Sequence, residues 1–230
     1  MEQYQAIIEI IALSMGVAWA SGVNLYAVLL VLGLGGSSGY IDLPTELALL
    51  ENPLVIAAAG LMYMVEFGVD KTPGVDSAWD SLHTFIRLPA GALLAAGAVG
   101  EVEPALAVAA AITGGGVAAS SHFVKAGGRL LINTSPEPVT NWSASLGEDI
   151  AVLGGLWLAL NHPVVFLGFL VAFVLFAMWA IPKLWRLIKQ IFERVRCWMK
   201  GEKYVAPGRR EAAEDEPVVL DLGVLPEGKQ

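Results

Sequence analysis

The sequence predicts an all-α polytopic membrane protein of about six transmembrane helices, followed by a cytoplasmic amphipathic helix and a disordered acidic tail. Three observations carry that prediction. The 230 residues are 56% hydrophobic and 16% charged, whereas soluble domains run about 45–50% apolar and about a quarter charged. Of the 14 Lys and Arg residues only Lys71, Arg87, Lys125 and Arg129 precede position 183, too few to cover a soluble core of that length. Uncharged runs also recur at lengths that match ~30 Å of hydrocarbon at ~1.5 Å per residue. A mean hydropathy of +0.62 agrees with a lipid solvent.

The first span covers about 6–34, with no charged side chain from Ile10 to Leu34. Its start, Met1-Glu2-Gln3-Tyr4, lacks the positive segment of a cleaved signal peptide. The second runs from Pro53 to Val69 and carries Glu66 near its end. The third, about 77–99, is polar in its first half and small and apolar from Leu88 to Gly100. The fourth runs from Pro104 to about Val124 and the fifth from about Trp142 to Leu160. After an Asn161-His162-Pro163 turn, the sixth extends from Pro163 to Ile181. Residues 1–182 thus form the transmembrane domain.

In 183–200, Leu184, Leu187, Ile188, Ile191, Phe192, Val195, Trp198 and Met199 recur at helical spacing between basic residues. That pattern suits an interfacial helix on anionic lipids, with partner docking as the alternative. Residues 201–230 are rich in Pro, Gly and acid and read as a disordered tail. The single cysteine, Cys197, excludes an internal disulfide and a Cys-based metal site. A formal charge of −8 excludes the basic footprint of a nucleic-acid binder.

Six spans place both termini on one face. Segments 35–52, 100–103 and 161–162 hold no Lys or Arg, while Lys71, Lys125, Arg129 and the basic run after 182 share the other face. Positive charge marks the cytoplasmic side, so N- and C-termini are expected inside. The Asn133-Thr134-Ser135 and Asn141-Trp142-Ser143 sequons then face the cytoplasm and go unglycosylated.

An offset of 63 residues aligns Pro73 with Pro136, Trp79 with Trp142, Gly91 with Gly154, Leu93 with Leu156 and Ala96 with Ala159. This suggests a parallel hairpin repeat. A competing match aligns Gly16-Val17-Ala18 and Ser21 with Gly116-Val117-Ala118 and Ser121, which six spans would make an inverted relation.

Ionisable residues inside spans are costly and mark functional sites by default. Asp76, Asp80, His83 and Arg87 are spaced 4, 3 and 4, one face of a helix; His122, Lys125 and Arg129 are spaced 3 and 4. Glu66 and Asp70 end the second span, Lys71 follows, and Glu148 and Asp149 lie in the fifth. With Asn24, where polar residues interrupt the first span, these thirteen define a candidate polar cavity. Arg87 lies ~16 Å along its helix from Asp76, and Glu148 or Asp149 is its expected partner. Gly114-Gly115-Gly116 marks either close helix packing or a point of unwinding.

Two readings remain open. One is a cytoplasmic-side cavity for a small ion, a proton or an anionic solute. Helix N-termini, Lys71, Lys125 and Arg129 favour an anion, and the acid excess with His83 and His122 favours a cation or proton. The other is a structural ion-pair network in a non-transporting scaffold. Catalysis is not expected. Asp76, Asp80 and His83 lack further metal ligands, Ser120-Ser121-His122 is no triad, and no cofactor motif is present.

Certain stretches carry a resemblance: Ala20-Ser21-Gly22-Val23-Asn24-Leu25-Tyr26, Val65-Glu66-Phe67, Asp70-Lys71-Thr72-Pro73-Gly74-Val75-Asp76, and Leu131-Ile132-Asn133-Thr134-Ser135-Pro136-Glu137-Pro138. Together with Asn141-Trp142, Glu148-Asp149 and Gly154-Gly155, they resemble the bacterial membrane family filed as domain of unknown function 4126. The resemblance covers about 5–195. It implies a multi-pass protein of the bacterial inner membrane and no assigned activity.

Overall fold

Asn24 governs the architecture. The computed structural model describes residues 2–100, 103–134 and 138–201. The acidic tail from 202 onward lies outside the described residues. In chain order the fold contains α1 (Glu2–Ser37), a 3-10 helix (Thr45–Glu51), α2 (Pro53–Val69), α3 (Val75–Gly97), α4 (Pro104–Ile132), α5 (Pro138–Asn161) and α6 (Pro163–Met199). It is all-helical among the described residues. By length and composition α1, α4, α5 and α6 can each cross a membrane, and the 3-10 helix with α2, bent by 69°, adds a fifth candidate.

Length and composition do not register a break in α1. Asn24 is its one non-helical residue, at φ −145° and ψ 96°, and the chain doubles back there. Glu9, Ile10 and Leu13 line one cavity of about 580 Å³ together with Tyr40, Ile41 and Asp42. A straight helix would hold residues 9 and 37 about 42 Å apart at ~1.5 Å per residue. Ser14 donates to the Ala95 carbonyl near the end of α3. In the other arm, Gly33 abuts Leu50 and Ile56, while Leu47 packs on Gly97, beside Ala95. Both arms, 2–23 and 25–37, therefore open at the same end of the bundle, and Asn24 is the tip.

This corrects the expected straight first span. The start of α1 lies at the end opposite the 70–74 turn, whereas α6 reaches Gly127 with Leu184, near the turn end of α4.

The first arm is the core. Val17, Ala18, Ala20 and Ser21 are fully buried, clasped by α3 and α4, which run antiparallel. Asn133 bonds Ser77 and His122 bonds Thr84; further along, Ala118 meets Gly91 and Gly114 meets Ala95. Small residues allow this approach. Gly22 stands against Ser121 and the Ala118 carbonyl, Gly91 against Ala118 and Ser21, and Gly114 against Ala95 and Ala18. Gly114 thus serves packing, and α4 is unbroken through the triple glycine. The matching stretches 16–21 and 116–121 lie side by side and run the same way, so their relation is not inverted.

On the far side of the first arm, Gly155 of α5 receives the Trp19 ring. That ring makes edge contacts with Phe166, Phe169 and Phe173 of α6. Outward residues such as Phe85, Ile112, Ile150 and Leu175 are exposed, as a lipid-facing surface requires.

Pro182 lies inside α6, and helical structure continues to Met199. The chain divides into units at Ile188 and Lys189. In the second unit, Phe192, Val195, Trp198 and Met199 are exposed.

Candidate functional site

The α2–α3 turn sets the site's outer limit. Gly74 has φ +84°, a left-handed conformation that a side chain would strain. It lets the chain reverse directly into α3. Asp76 holds this turn: its Oδ1 accepts from the Gly74 and Ser77 amides at 2.9 and 2.6 Å and from Asn133 Nδ2 at 2.7 Å. Asn133 in turn accepts from Asn141 Nδ2 at 3.1 Å. The two hairpins, α2–α3 and α4–α5, are tied together at their turns.

From that floor the α3 face rises through Asp76, Asp80, His83 and Arg87, all buried. The facing stripe of α4 carries His122, Lys125 and Arg129, also buried. At the top stands the tip of α1. Reversal there leaves the last carbonyls of the first arm without intrahelical partners. Val23 O accepts from Arg87 Nη1 and from Lys125 Nζ, each at 3.0 Å. Two cations thus sit at the negative end of a half-helix, where the dipole favours them. Asn24 completes the tip, accepting from the Ala27 amide at 3.0 Å and donating to Asp149 Oδ1 at 3.2 Å.

Between tip and floor lies a continuous ion-pair network. Arg87 pairs with Glu66 and, at 3.3 Å, with Asp80. Lys125 reaches Asp70 at 2.9 Å, Glu66 at 3.3 Å, Glu148 at 3.6 Å and Asp80 at 3.8 Å. Arg129 grips Glu148 with Nε at 3.0 Å and Nη2 at 2.7 Å. Its Nη1 also donates to the Asp70 and Asn141 carbonyls at 2.8 and 3.2 Å. Such bidentate geometry is the strong form of the Arg–carboxylate pair.

Arg87 does not pair with Glu148 or Asp149 as expected. Its side chain runs back along α3 toward Asp80, a full two turns earlier, and meets α2. Glu148 is taken by Arg129, and Asp149 by Asn24.

The two histidines have assigned tautomers. His122 Nδ1 accepts from Arg87 at 3.4 Å, so Nε2–H donates to Thr84 Oγ1 at 2.7 Å, whose hydroxyl donates to the Asp80 carbonyl at 3.0 Å. His83 donates from Nδ1 to the Trp79 carbonyl at 3.0 Å and accepts from the Tyr26 hydroxyl at 3.1 Å. Each ring thus has a partner at both nitrogens. Tyr26 belongs to the second arm of α1, so His83 too is tied to the tip.

All thirteen sequence-derived candidates lie at this end of the bundle. Asn24, Glu66, Asp70, Asp76, Asp80, Arg87, Lys125, Arg129, Glu148 and Asp149 line its axis, His83 and His122 flank them, and Lys71 stands at the margin. Sequence reasoning missed Thr84, Asn133 as a structural link, and the Val23 carbonyl. Only the Gly22-Val23-Asn24 step hinted at the last. Among the described residues, no group of three or more His, Cys, Asp or Glu side chains is placed to hold a metal ion.

Charge is not balanced. Lys71, Arg87, Lys125 and Arg129 face six carboxylates, those of Glu66, Asp70, Asp76, Asp80, Glu148 and Asp149. Five buried carboxylate oxygens have no hydrogen-bond partner: Glu66 Oε2, Asp70 Oδ1, Asp76 Oδ2, Asp80 Oδ2 and Asp149 Oδ2.

A family model described as a domain of unknown function (DUF4126) matches residues 11–183. The chain belongs to this family. The matched region holds the tip of α1 and every residue of the network, and it stops where the basic run begins. No curated protein and no solved structure matches the chain.

Proposed function

We propose that this member of the family is a channel- or transporter-like protein for protons or small cations. The break in α1 at Asn24 carries the reading. Irregular backbone at membrane depth is retained where it is buried in protein or lines a path, and half-helix ends at mid-membrane form the ion sites of many transporters. Here the broken end meets a buried charge set with acid in excess. The proton is the cation favoured most, because Arg87 and Lys125 already occupy the tip carbonyls that a metal ion would use.

In this reading α2 to α6 each cross the membrane and α1 is re-entrant. Lys71, Lys125, Arg129, Lys183 and Arg186 mark the network end as cytoplasmic, in a bacterial inner membrane. The N-terminus then lies outside and the end of α6 inside. The basic segment 183–200 binds anionic lipid.

Purified protein in liposomes with a trapped pH dye tests the proposal. Wild type should dissipate an imposed proton gradient, and Asp80→Asn or Glu66→Gln should abolish the flux without unfolding the protein. A silent wild type under both signs of membrane potential sinks it. The second reading, a static clamp in a membrane scaffold, is favoured by one observation: Arg87, Lys125 and Arg129 each have several buried partners. It expects no flux and a large loss of stability in the same variants.

A further inference from the structure

Lys71 sits apart from the network. Its Nζ lies 2.9 Å from the centroid of the Phe67 ring and 5.3 Å from that of Trp142. It donates to the Phe67 carbonyl at 3.0 Å and to Ser145 Oγ at 3.2 Å. Phe67 belongs to α2, and Trp142 and Ser145 belong to α5. These two helices each pack on α1, and Lys71 bridges the seam between them. Asp149, one turn beyond Ser145, acts electrostatically on the ammonium and has a buried Oδ2 without a partner. Trp142 is half exposed, which leaves the outer side of the seam accessible.

Two aromatic faces, a carbonyl and a hydroxyl around one ammonium, with a carboxylate one helical turn beyond, make the kind of cage that recognises alkylated amines. We propose that the α2–α5 seam is a binding site for small organic ammonium ions, such as methylated amines, and that Lys71 is its resident occupant. Phe67 and Trp142 supply the faces, Asp149 supplies the counter-charge, and a ligand enters as Lys71 swings out to solvent. Burial holds the Lys71 ammonium below its ordinary range. Asp149 in turn meets Asn24 at the tip. Onward movement of a bound ammonium ion rests on the transport reading, whereas binding itself rests on the cage alone.

Tetramethylammonium is the probe, because it cannot react with amine reagents, and tert-butanol is its neutral counterpart. In full-length wild type, acetylation of Lys71 read by mass spectrometry should rise several-fold with tetramethylammonium. Lys200 should not change, nor should Lys71 respond to tert-butanol or to sodium chloride at equal ionic strength. Unchanged Lys71 labelling overturns the proposal. Calorimetry should show Lys71→Ala or Lys71→Gln binding tetramethylammonium about tenfold more tightly than wild type, within what a freed cation–π cage supports. Adding Asp149→Asn should remove that gain; a gain that survives it, or no gain in either variant, also overturns the proposal. Binding without proton flux refutes only the transport reading, and flux without an effect on Lys71 refutes only this one.

Discussion

Arg87 shows how one residue is made tolerable inside a membrane bundle. Its guanidinium is fully buried and divides its donors among Glu66, Asp80, His122 and the Val23 carbonyl. Removing it strands two carboxylates and a broken helix end together. Arg87→Met should therefore cost about 3–5 kcal/mol, measured as lost resistance to thermal or denaturant unfolding in detergent. The double variant Arg87→Met/Glu66→Gln should recover part of that loss, because one stranded charge is gone. Arg87→Lys should behave nearly as badly as Met, since a point ammonium cannot reach partners on α1, α2, α3 and α4 at once. At Asn24 the expected loss is smaller. Asn24→Ala removes the Ala27 cap and the bond to Asp149, worth about 1–2 kcal/mol in total.

At the scale of elements, the crossing of the first arm with α3 and α4 depends on missing side chains, and not every glycine there is equal. A Cβ on Gly22 would collide with the Ala118 backbone carbonyl as well as with Ser121. Backbone cannot move aside cheaply, so Gly22→Ala should destabilise by about 1–3 kcal/mol. Gly116 has open space around the same position, and Gly116→Ala should be neutral or stabilising by up to about 1 kcal/mol from helix propensity. Melting both variants beside wild type checks the contrast. The difference also shows what was legible beforehand. Spacings of 4, 3 and 4 placed Asp76, Asp80, His83 and Arg87 on one α3 face, because a helix maps sequence to direction. They could not assign Arg87 its partners, since these depend on which helix lies opposite. Nor does a hydropathy run distinguish a helix that crosses the bilayer from one that turns back halfway. Gly22 and Asn24 were the sole local signal, and their meaning depends on Arg87 and Lys125, more than sixty residues away, arriving at the Val23 carbonyl.

At the scale of the whole molecule, that fold-back underlies the topology we propose. Six crossings would set Gln3 and Tyr40 on opposite faces of the membrane, with Gln3 beside Thr72. A doubled α1 sets Gln3 and Tyr40 together and Thr72 across from them. The distribution of cations agrees with the second arrangement as readily as with the first, because no Lys or Arg precedes Lys71 and the rule has nothing to count there. Labelling separates the two. In a Cys197→Ser background, single cysteines at positions 3, 40 and 72 should react with a membrane-impermeant maleimide from two sides. Positions 3 and 40 should label in intact cells, and position 72 only after the membrane is opened. If 3 and 72 label together while 40 stands apart, α1 crosses. Its arms would then be unable to share the cavity between Glu9 and Asp42, Val23 could not meet Arg87 and Lys125 as a helix end, and the case for an ion site at the tip would fall with the hairpin.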